Sequence, residues 1–456
     1  MPNIMNLGKA DIESFEKRRN YTVSIIECGK TGLPHAQLFL ESGFKVIGVS
    51  TNPHTLKLLR KGRTPFLKAA DRTLEKYLRE GAFTAYSEIR KAASESDVVV
   101  IALRTKIDRK KKPDYSLLEK TCKEVGLGLK KGSLVLFVSP TGPGIIESFL
   151  REALENASGL KAGKDFGLTA SPMQADSDRR ARTTSTRSRV LGAINNSDLR
   201  TASLVLGGTT NSEIVTVSTI KTAEATNLFL NVVNETMQAL SNELAVLCDR
   251  LKIDFIEALE AINRNYPAHL PLPGIVNDPA RRDFHMLQEE AENANVDLRL
   301  PHLARKTNEE VSEYTLHLVK DALKACGKTI RRAKVSVLGV ARRLDTKDPP
   351  GPLTKKIINL LNRKVRTVQV YDPFFAKKEL IELGFDAESL SKAVEKTDCV
   401  VILTGHSKFA RLSLKKLRLL AKKSPAIVDI GQVIDPLKAQ KHGFVYRGLG
   451  RGVWAK

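Results

Sequence analysis

A chain of 456 residues with 42 % hydrophobic residues is too long for a single core, so two or three folded domains are expected and an intrinsically disordered protein is excluded. The longest apolar runs, such as Val98–Leu103, are only as long as a strand, and the first twenty residues contain no apolar segment; these features argue against a membrane span and a secretion signal and predict a cytoplasmic protein. The formal net charge of +23 indicates either an anionic partner or the charged surface of a heat-adapted protein, and composition does not decide between them.

A strand, a helix and a second strand are predicted near the start of the chain. The apolar run Val23–Ile26 predicts a buried strand, Gly29 and Gly32 open a helix that continues through Leu40, and Lys45–Val49 predicts the next strand. This βαβ order is typical of a dinucleotide-binding fold, in which the glycine-rich turn and the helix N-terminus receive the pyrophosphate.

Two positions of this segment depart from the dinucleotide-binding pattern. Glu27 replaces the first glycine of G-x-G-x-x-G, and its carboxylate would repel a pyrophosphate. Ser50 replaces the acid that should follow the second strand and hold the ribose hydroxyls. We therefore predict no bound cofactor, or NAD if the ancestral site is retained. The residues that would contact NAD are Gly29, Gly32, Ser50 and Thr105.

Strands and helices continue to alternate up to about residue 210, which predicts a mostly parallel sheet with helices on both faces. Further strands are predicted at Asp97–Leu103, Ser133–Val138, Phe166–Thr169 and Ser203–Leu206, with a helix at Tyr115–Leu129. The segment Ser171–Arg189 is polar and basic, and we predict a loop there.

The middle of the chain is predicted to be helical. From about Thr219 to Leu251 apolar residues recur at steps of three and four without a proline, which predicts one long helix that joins two domains and forms a dimer contact. Shorter helices are predicted at Phe255–Asn263 and Pro301–Cys326, on either side of the proline-rich turn Pro267–Pro273.

A second α/β unit begins at Lys334. Its strands are predicted at Lys334–Val340, Thr367–Tyr371, Cys399–Leu403 and Ala426–Ile430, and its helices at Thr354–Asn362 and Glu388–Glu395. The fold class is therefore α/β, with two Rossmann-like parallel-sheet domains joined by a long central helix and a small helical domain. The expected divisions are an extension at 1–20, a nucleotide-type domain at 21–210, a helical dimerisation domain at 211–328 and a C-terminal domain at 329–456.

The five cysteines are Cys28, Cys122, Cys248, Cys326 and Cys399. They are widely separated and never form a C-x-x-C pair, so neither a disulfide framework nor a metal site is predicted.

Short motifs in a shared order over more than four hundred residues resemble the UDP-sugar 6-dehydrogenase family, which includes UDP-N-acetylmannosamine and UDP-glucose dehydrogenases. They are GLP at Gly32–Pro34, KPD at Lys112–Asp114, NELA at Asn242–Ala245, Pro273-Gly274, VDLRL at Val296–Leu300, Ala304-Arg305 with Asn308, LGVA at Leu338–Ala341, YDP at Tyr371–Pro373, Thr404 with His406, and YRGLGR at Tyr446–Arg451. The resemblance implies a two-step NAD-dependent oxidation of a sugar C6 alcohol to a carboxylate, through a cysteine thiohemiacetal.

The residues that the resemblance assigns to this chemistry are mostly replaced. The long helix has Asn227 where the family has a lysine, and it keeps the family asparagine at Asn231. Met173 replaces the glutamate of an S-P-E-R-like sequence. The loop that follows Gly274 is shorter than the family loop and contains no cysteine, while Asp283 matches the aspartate beyond the nucleophile. Asn227, Asn231 and Asp283 are thus remnants of a catalytic site.

The second α/β unit receives the UDP group in this family. By the resemblance, Arg305, Arg343, Thr404 and His406 are the candidate nucleotide-sugar contacts in this chain. A histidine at a strand end more often has a structural role, and that interpretation of His406 stays open.

Three hypotheses about function follow. The first is a pseudoenzyme that has lost the two-step oxidation, because an aldehyde without a thiolate forms no adduct from which a second hydride can leave. The second is a divergent active nucleotide-sugar dehydrogenase or a single-step oxidoreductase. The third is a basic protein that binds nucleic acid or another polyanion on the same scaffold. The candidate anion contacts are Arg179, Arg180, Arg182, Arg187, Arg189, Lys415, Lys416 and Arg418.

Overall fold

The computed structural model describes residues 4–65, 68–172, 188–210, 212–265, 269–276 and 280–455. The chain divides into two compact units: unit 1 is Met1–Asn231 with Arg281–Asp297, and unit 2 is Val232–Ala280 with Leu298–Lys456. Each unit contains one large, mostly parallel sheet. The prediction of two Rossmann-like α/β parts and a long central helix is therefore confirmed.

The sheet of unit 1 has eight strands. The strands of this part of the chain are β1 (Thr22–Ile26), β2 (Lys45–Val49), β3 (Phe83–Tyr86), β4 (Val98–Ile101), β5 (Lys106–Ile107), β6 (Pro113–Asp114), β7 (Leu134–Phe137), β8 (Gly167–Ala170), β9 (Arg189–Ala193) and β10 (Ile214–Thr216). Their order in the sheet is β10-β9-β8-β7-β4-β1-β2-β3, while β5 and β6 form a separate hairpin. Among the strand pairs that the structure describes in the large sheet, only β8–β9 is antiparallel. Strands β4 and β7 are buried along their whole length, as expected for parallel strands covered on both faces.

Helices cover both faces of this sheet. They are α1 (Phe15–Arg18), α2 (Gly32–Glu41), α3 (Pro53–Leu59), α4 (Lys68–Arg79), α5 (Ile89–Ser94), α6 (Ser116–Gly126), α7 (Arg151–Ser158) and α8 (Asn196–Gly207). Ile4, Leu7 and Ile12 are buried in the same core cluster as β1 and α2. The N-terminal extension is therefore packed against the core of unit 1.

The strand predicted at Ser203–Leu206 is wrong, because these residues lie in α8. The Asn195 side chain accepts a hydrogen bond from the backbone N–H of Asp198 and so caps the helix N-terminus. Ala202, Val205 and Leu206 are buried at the spacing of one helical face. A four-residue apolar run does not by itself distinguish such a face from a buried strand, and β9 takes the place of the predicted strand in the sheet.

Between residues 220 and 325, the described part of the chain forms four helices: α9 (Ile220–Leu251), α10 (Phe255–Asn265), α11 (Ala280–Asn293) and α12 (Arg299–Ala325). Helix α9 has 32 residues, as the uninterrupted apolar period predicted, and is about 48 Å long at the usual rise per residue. Helix α11 was not predicted. The sequence feature that could have predicted it is the three-residue spacing of Phe284 and Leu287, which are both buried.

The sheet of unit 2 has five parallel strands in the order β12-β11-β13-β14-β15. They are β11 (Lys334–Leu338), β12 (Thr367–Tyr371), β13 (Cys399–Ile402), β14 (Ala426–Asp429) and β15 (Val445–Gly448), connected by α13 (Pro352–Asn362), α14 (Lys377–Glu382), α15 (Leu390–Val394), α16 (Ser407–Ala410), α17 (Leu414–Leu420) and α18 (Pro436–Lys441). The strand order reverses at β11, so the crevice where such sheets bind ligands lies outside the carboxyl ends of β11 and β13. In the described part of the chain, no helix is long and apolar enough to cross a bilayer.

Candidate functional site

The turn after β1 keeps the shape of a glycine-rich phosphate-binding turn. Glu27 occupies its first position with a φ of 63°, a left-handed conformation that favours glycine. A β-carbon added to Gly32 would lie 2.4 Å from the carbonyl oxygen of Glu27, so the start of α2 packs directly against this turn. The backbone geometry therefore survives although the residue that normally permits it is absent.

Charged side chains lie at this turn and beside it. Burial raises the pKa of the Glu27 carboxyl above its ordinary value. Arg104 follows β4, the strand beside β1, and its Nε donates to Thr31 Oγ1 at 2.5 Å. The Arg104 guanidinium therefore lies beside the N-terminus of α2. Sequence reasoning missed this residue, although a basic residue directly after a buried strand was a usable signal.

The other predicted cofactor contacts are engaged within the protein. Ser50 is buried after β2, and its Oγ accepts from the backbone N–H of Asn52 at 3.4 Å. Thr105 Oγ1 donates to the carbonyl oxygen of Pro140 at 3.1 Å. The loop that follows β2 begins Ser50-Thr51-Asn52 and so offers no carboxylate for a ribose. Together with the carboxyl of Glu27, these residues do not fit NAD in the usual manner.

A buried polar stripe runs along the first half of α9. Glu224, Asn227 and Asn231 lie three and four residues apart, so they share one helical face, and each is at most 8 % exposed. Such burial is rare for these residue types without hydrogen-bond partners. The stripe is the densest group of buried polar side chains that α9 contributes to unit 1.

Glu224 anchors the loop that follows β7. Its carboxylate accepts from Thr141 Oγ1 at 2.8 Å and from the backbone N–H groups of Gly144 and Ile146 at 2.6 Å and 3.2 Å. Burial nevertheless raises its pKa to about 7. Glu224 was not predicted as a site residue. The sequence feature that could have identified it is its position one helical turn before Asn227.

The structure brings two of the three predicted catalytic remnants into contact. Asn231 Nδ2 on α9 donates a short hydrogen bond to Asp283 Oδ2 in the first turn of α11. Asn227 lies one turn away, and its Nδ2 has no hydrogen-bond partner among the described residues. An amide at Asn227 can donate a hydrogen bond to a ligand, but it supplies no positive charge.

In unit 2, three predicted substrate contacts lie at the crevice outside β11 and β13. Arg343 Nε donates to Asp348 Oδ2 at 2.9 Å, and Arg342 binds the same carboxylate through two nitrogen atoms. Thr404 Oγ1 donates to the carbonyl oxygen of Ala341 at 2.7 Å. These bonds fix the loop that follows β11.

Both ring nitrogens of His406 have hydrogen-bond partners within the protein. Its Nδ1 accepts from the backbone N–H of Asp345 at 2.9 Å, so the proton of the neutral ring lies on Nε2, 3.1 Å from Asp372 Oδ2. Asp372 also accepts from backbone N–H groups, including that of Ala341. Burial alone would raise the pKa of Asp372, but the bonds from His406 and the backbone outweigh it and hold that pKa below its ordinary value.

The fourth candidate, Arg305, lies elsewhere in unit 2. Arg305 Nε on α12 is 3.5 Å from Glu235 Oε1 on α9, and the side chains are only 12 % and 10 % exposed. Nearby, Asn242 joins Asn308 to the backbone of Gly274, at the start of the loop where the family places its cysteine. Arg305 thus takes part in a largely buried ion pair.

The predicted anion contacts have different outcomes. Arg179, Arg180, Arg182 and Arg187 lie outside the described residues, as does Met173. The prediction for Arg189 is wrong: this residue begins β9 and is buried, and burial lowers the pKa of its guanidinium to about 10. Lys415 and Lys416 are exposed on α17, and Arg418 is partly exposed there.

The described segments contain all five cysteines, and each packs in or against a hydrophobic core. Cys28, Cys122 and Cys399 are fully buried, whereas Cys248 and Cys326 are partly buried against the core of unit 2. Burial raises the pKa of every one of these thiols, that of Cys28 to about 12. None of them is poised as a thiolate nucleophile.

One known protein family matches most of this chain. The sequence matches the UDP-glucose/GDP-mannose dehydrogenase family in three parts: its NAD binding domain at residues 21–207, its central domain at 221–310 and its UDP binding domain at 336–436. The chain belongs to this family. The family prediction made from the motifs is therefore confirmed.

Relatives match over nearly the whole chain. The UDP-N-acetyl-D-mannosamine dehydrogenase of Pyrococcus horikoshii is 27 % identical over 433 residues, 94 % of this chain and 99 % of that protein. The UDP-N-acetyl-D-glucosamine 6-dehydrogenase of Pseudomonas aeruginosa is 25 % identical and covers 92 % of this chain and 99 % of its own length. The solved UDP-D-ManNAc dehydrogenase from Pyrococcus horikoshii covers 95 % of this chain and all of that one, with a TM-score of 0.84 at 26 % identity.

Proposed function

We propose that this protein binds a nucleotide sugar on the dehydrogenase scaffold but does not carry out the two-step oxidation. The observation that carries the proposal is the placement of the thiols. All five are packed in or against hydrophobic cores with raised pKa values, so no thiolate is available to form the thiohemiacetal.

The charge of the polar stripe supports the same conclusion. The family places a lysine at the position of Asn227, where a cation would stabilise a developing alkoxide, and a neutral amide does so much less. The nucleotide-binding turn carries Glu27 and lacks a ribose acid, and both features disfavour the binding of NAD. Should ancestral binding be retained, NAD is the cofactor expected.

Retained binding of a nucleotide sugar is supported by the polar groups that remain. Asn231 and Asp283 hold each other in place, and the Asn227 amide has an unused donor among the described residues. A buried donor without a partner costs free energy, which a sugar hydroxyl would recover by accepting its hydrogen bond. Independently, residues 336–436 match the UDP binding domain of the family, which supports retained binding of a nucleotide sugar by this chain.

The test is to measure both binding and turnover. Purified protein with NAD and UDP-glucose, UDP-N-acetylglucosamine or UDP-N-acetylmannosamine should form no NADH, while at least one UDP-sugar should raise the melting temperature. The Pyrococcus horikoshii relative serves as the positive control. Steady release of NADH and a uronate would end the proposal, and so would the absence of any thermal shift with every UDP-sugar.

The Asn231–Asp283 pair also favours a second candidate, a single-step oxidoreductase that stops at the aldehyde. Such an enzyme needs no covalent thiol adduct. It would pass one hydride from each sugar alcohol to an added hydride acceptor, with loss of one proton, and accumulate aldehyde without uronate. Product analysis therefore separates it from a working two-step dehydrogenase.

We further propose that two copies associate through α9. Val233, Leu240, Leu247 and Leu251 follow one another at steps of seven, seven and four, the spacing of a helix-packing seam, and each is between 43 % and 58 % exposed. The paired substitution Leu240→Glu with Leu247→Glu should convert a dimer to a monomer in light scattering. Leu437→Glu, at a leucine of α18 away from the seam, is the control. A monomeric wild type would contradict this assignment.

A further inference from the structure

Helices α17 and α18 share one face of the second sheet. Each connects neighbouring parallel strands, β13 to β14 and β14 to β15, and right-handed connections in one direction place their helices on the same face. Leu414 and Leu417 of α17 lie in one core cluster with Ala439 of α18. A β-carbon built on Gly443 would lie 3.5 Å from Arg418 Nε, so the two helices are neighbours.

The outer surface of these helices, here called the α17–α18 face, is strongly basic. Residues 411–443 contain eight Lys and Arg residues and two acids, of which Asp429 is fully buried and Asp435 caps α18. The exposed lysines that form no ion pair with any described residue are Lys415, Lys416, Lys423 and Lys441. This face therefore presents several uncompensated positive charges to solvent.

Exposed leucines lie among these charges. Leu419 is 78 % exposed at the end of α17, directly after Arg418, and Leu437 is 60 % exposed directly before Lys438 on α18. Neither side chain packs in the core, whereas Leu414 and Leu417 of α17 do. Leucines among lysines suit the boundary between lipid headgroups and acyl chains, where both contribute to binding.

The aromatic residues of this region favour a lipid over a nucleic acid. Phe409 and Phe444 are the phenylalanines nearest to these helices in sequence, and both are buried in the core. Trp454 contacts α18 through its carbonyl oxygen, but its ring packs against the same core cluster. These rings therefore offer no open platform for base stacking. A protruding leucine also buries little apolar surface against a hydrated phosphate backbone. In a lipid headgroup layer the same side chain is removed from water, which favours binding.

We propose that the α17–α18 face binds the surface of an anionic lipid membrane. The exposed lysines neutralise headgroup phosphates, and Leu419 and Leu437 enter the headgroup layer. This peripheral association is independent of the nucleotide-sugar site and of catalysis.

Vesicle co-sedimentation of the full chain tests this assignment. The protein should bind phosphatidylcholine vesicles that contain about one-third phosphatidylglycerol and not pure phosphatidylcholine vesicles, and binding should weaken as salt rises. Each cation near an anionic surface increases the membrane affinity about fivefold. The paired substitution Lys415→Glu with Lys416→Glu should therefore weaken vesicle binding about 30-fold or more. Leu419→Ser should weaken it about tenfold without changing the melting temperature, because this side chain is mostly in solvent.

The matched control is Lys320→Glu with Lys324→Glu on α12, which makes the same change in net charge at two exposed lysines. The assignment predicts that this control binds nearly as tightly as the wild type. Equal weakening by both pairs, binding to neutral vesicles, or no binding to anionic vesicles would overturn it. So would binding to duplex DNA that is tighter than vesicle binding and unaffected by Leu419→Ser, since that result assigns the face to nucleic acid.

Discussion

Glu27→Gly restores the first glycine of the nucleotide-binding fingerprint and tests the interpretation of that turn. Glu27 adopts a φ of 63°, and a non-glycine residue in this conformation costs about 1–2 kcal/mol. Glycine recovers this cost but loses about 0.5–1 kcal/mol through the greater freedom of the unfolded chain. The variant should therefore be more stable than the wild type by about 0.5–1 kcal/mol.

The gain should depend on pH in a defined direction. Because burial raises the pKa of Glu27 in the folded protein, its ionised form is disfavoured there, and the wild type loses stability as pH rises from the unfolded pKa through the folded one. The difference between Glu27→Gly and wild type should thus be larger at neutral pH than at acid pH. Lys111→Gly is the matched control, since Lys111 has a φ of 65° but carries no carboxylate.

The same variant should bind NAD more tightly. Removing a carboxylate close to a pyrophosphate relieves a repulsion of about 1–2 kcal/mol, which corresponds to a gain in affinity of about 5- to 30-fold. Urea unfolding measures the stability difference, and isothermal calorimetry with NAD measures the affinity. Equal NAD affinities for wild type and Glu27→Gly would refute the argument, and so would a stability gain in Lys111→Gly that shows the same pH dependence.

Three further predictions concern buried groups. Glu224 should account for a loss of about 3 kcal/mol of unfolding free energy between pH 4.5 and pH 8, because its pKa rises from 4.5 to about 7 on folding. The pH profile of Glu224→Gln should be flatter than that of the wild type by this amount, and parallel profiles would contradict the assignment. Asp372→Ala should lower the free energy of chemical unfolding by about 3 kcal/mol, because it removes the hydrogen-bond acceptor of His406 and of several backbone N–H groups. The difference from the wild type should shrink at acid pH, where Asp372 of the wild type becomes protonated. Gly405→Ala should cost about 2–4 kcal/mol, because its β-carbon would lie 2.1 Å from the carbonyl oxygen of Gly431, and an unchanged melting temperature would refute this packing.

Much of the fold could be predicted from the sequence because its long elements have strong periods. The 32-residue helix α9 and buried strands such as β4 follow from uninterrupted apolar patterns. The failures occur where the local signal is short. An apolar run such as Ser203–Leu206 fits both a buried strand and the buried face of a helix. Only its packing shows that it belongs to α8.

The candidate site could be predicted only in part. The motifs identified Asn231 and Asp283, which are far apart in the sequence and in contact in the structure. They did not identify Glu224, which binds the loop after β7, or Arg104, which binds the N-terminus of α2. Sequence motifs do not show which distant backbone or side-chain group a charged residue will contact. The prediction for Arg189 failed because net charge does not report burial.

The amino-acid sequence alone determined the family, the order of most long elements and the absence of a cysteine from the loop that follows Gly274, because these depend on residue identity and spacing along the chain. Only the tertiary structure showed that the five thiols are packed in or against hydrophobic cores, that Glu27 adopts a left-handed backbone conformation, and that His406 forms a hydrogen bond with Asp372. The physical reason is that pKa, burial and hydrogen bonding depend on neighbours in space, and residues far apart in the chain supply those neighbours.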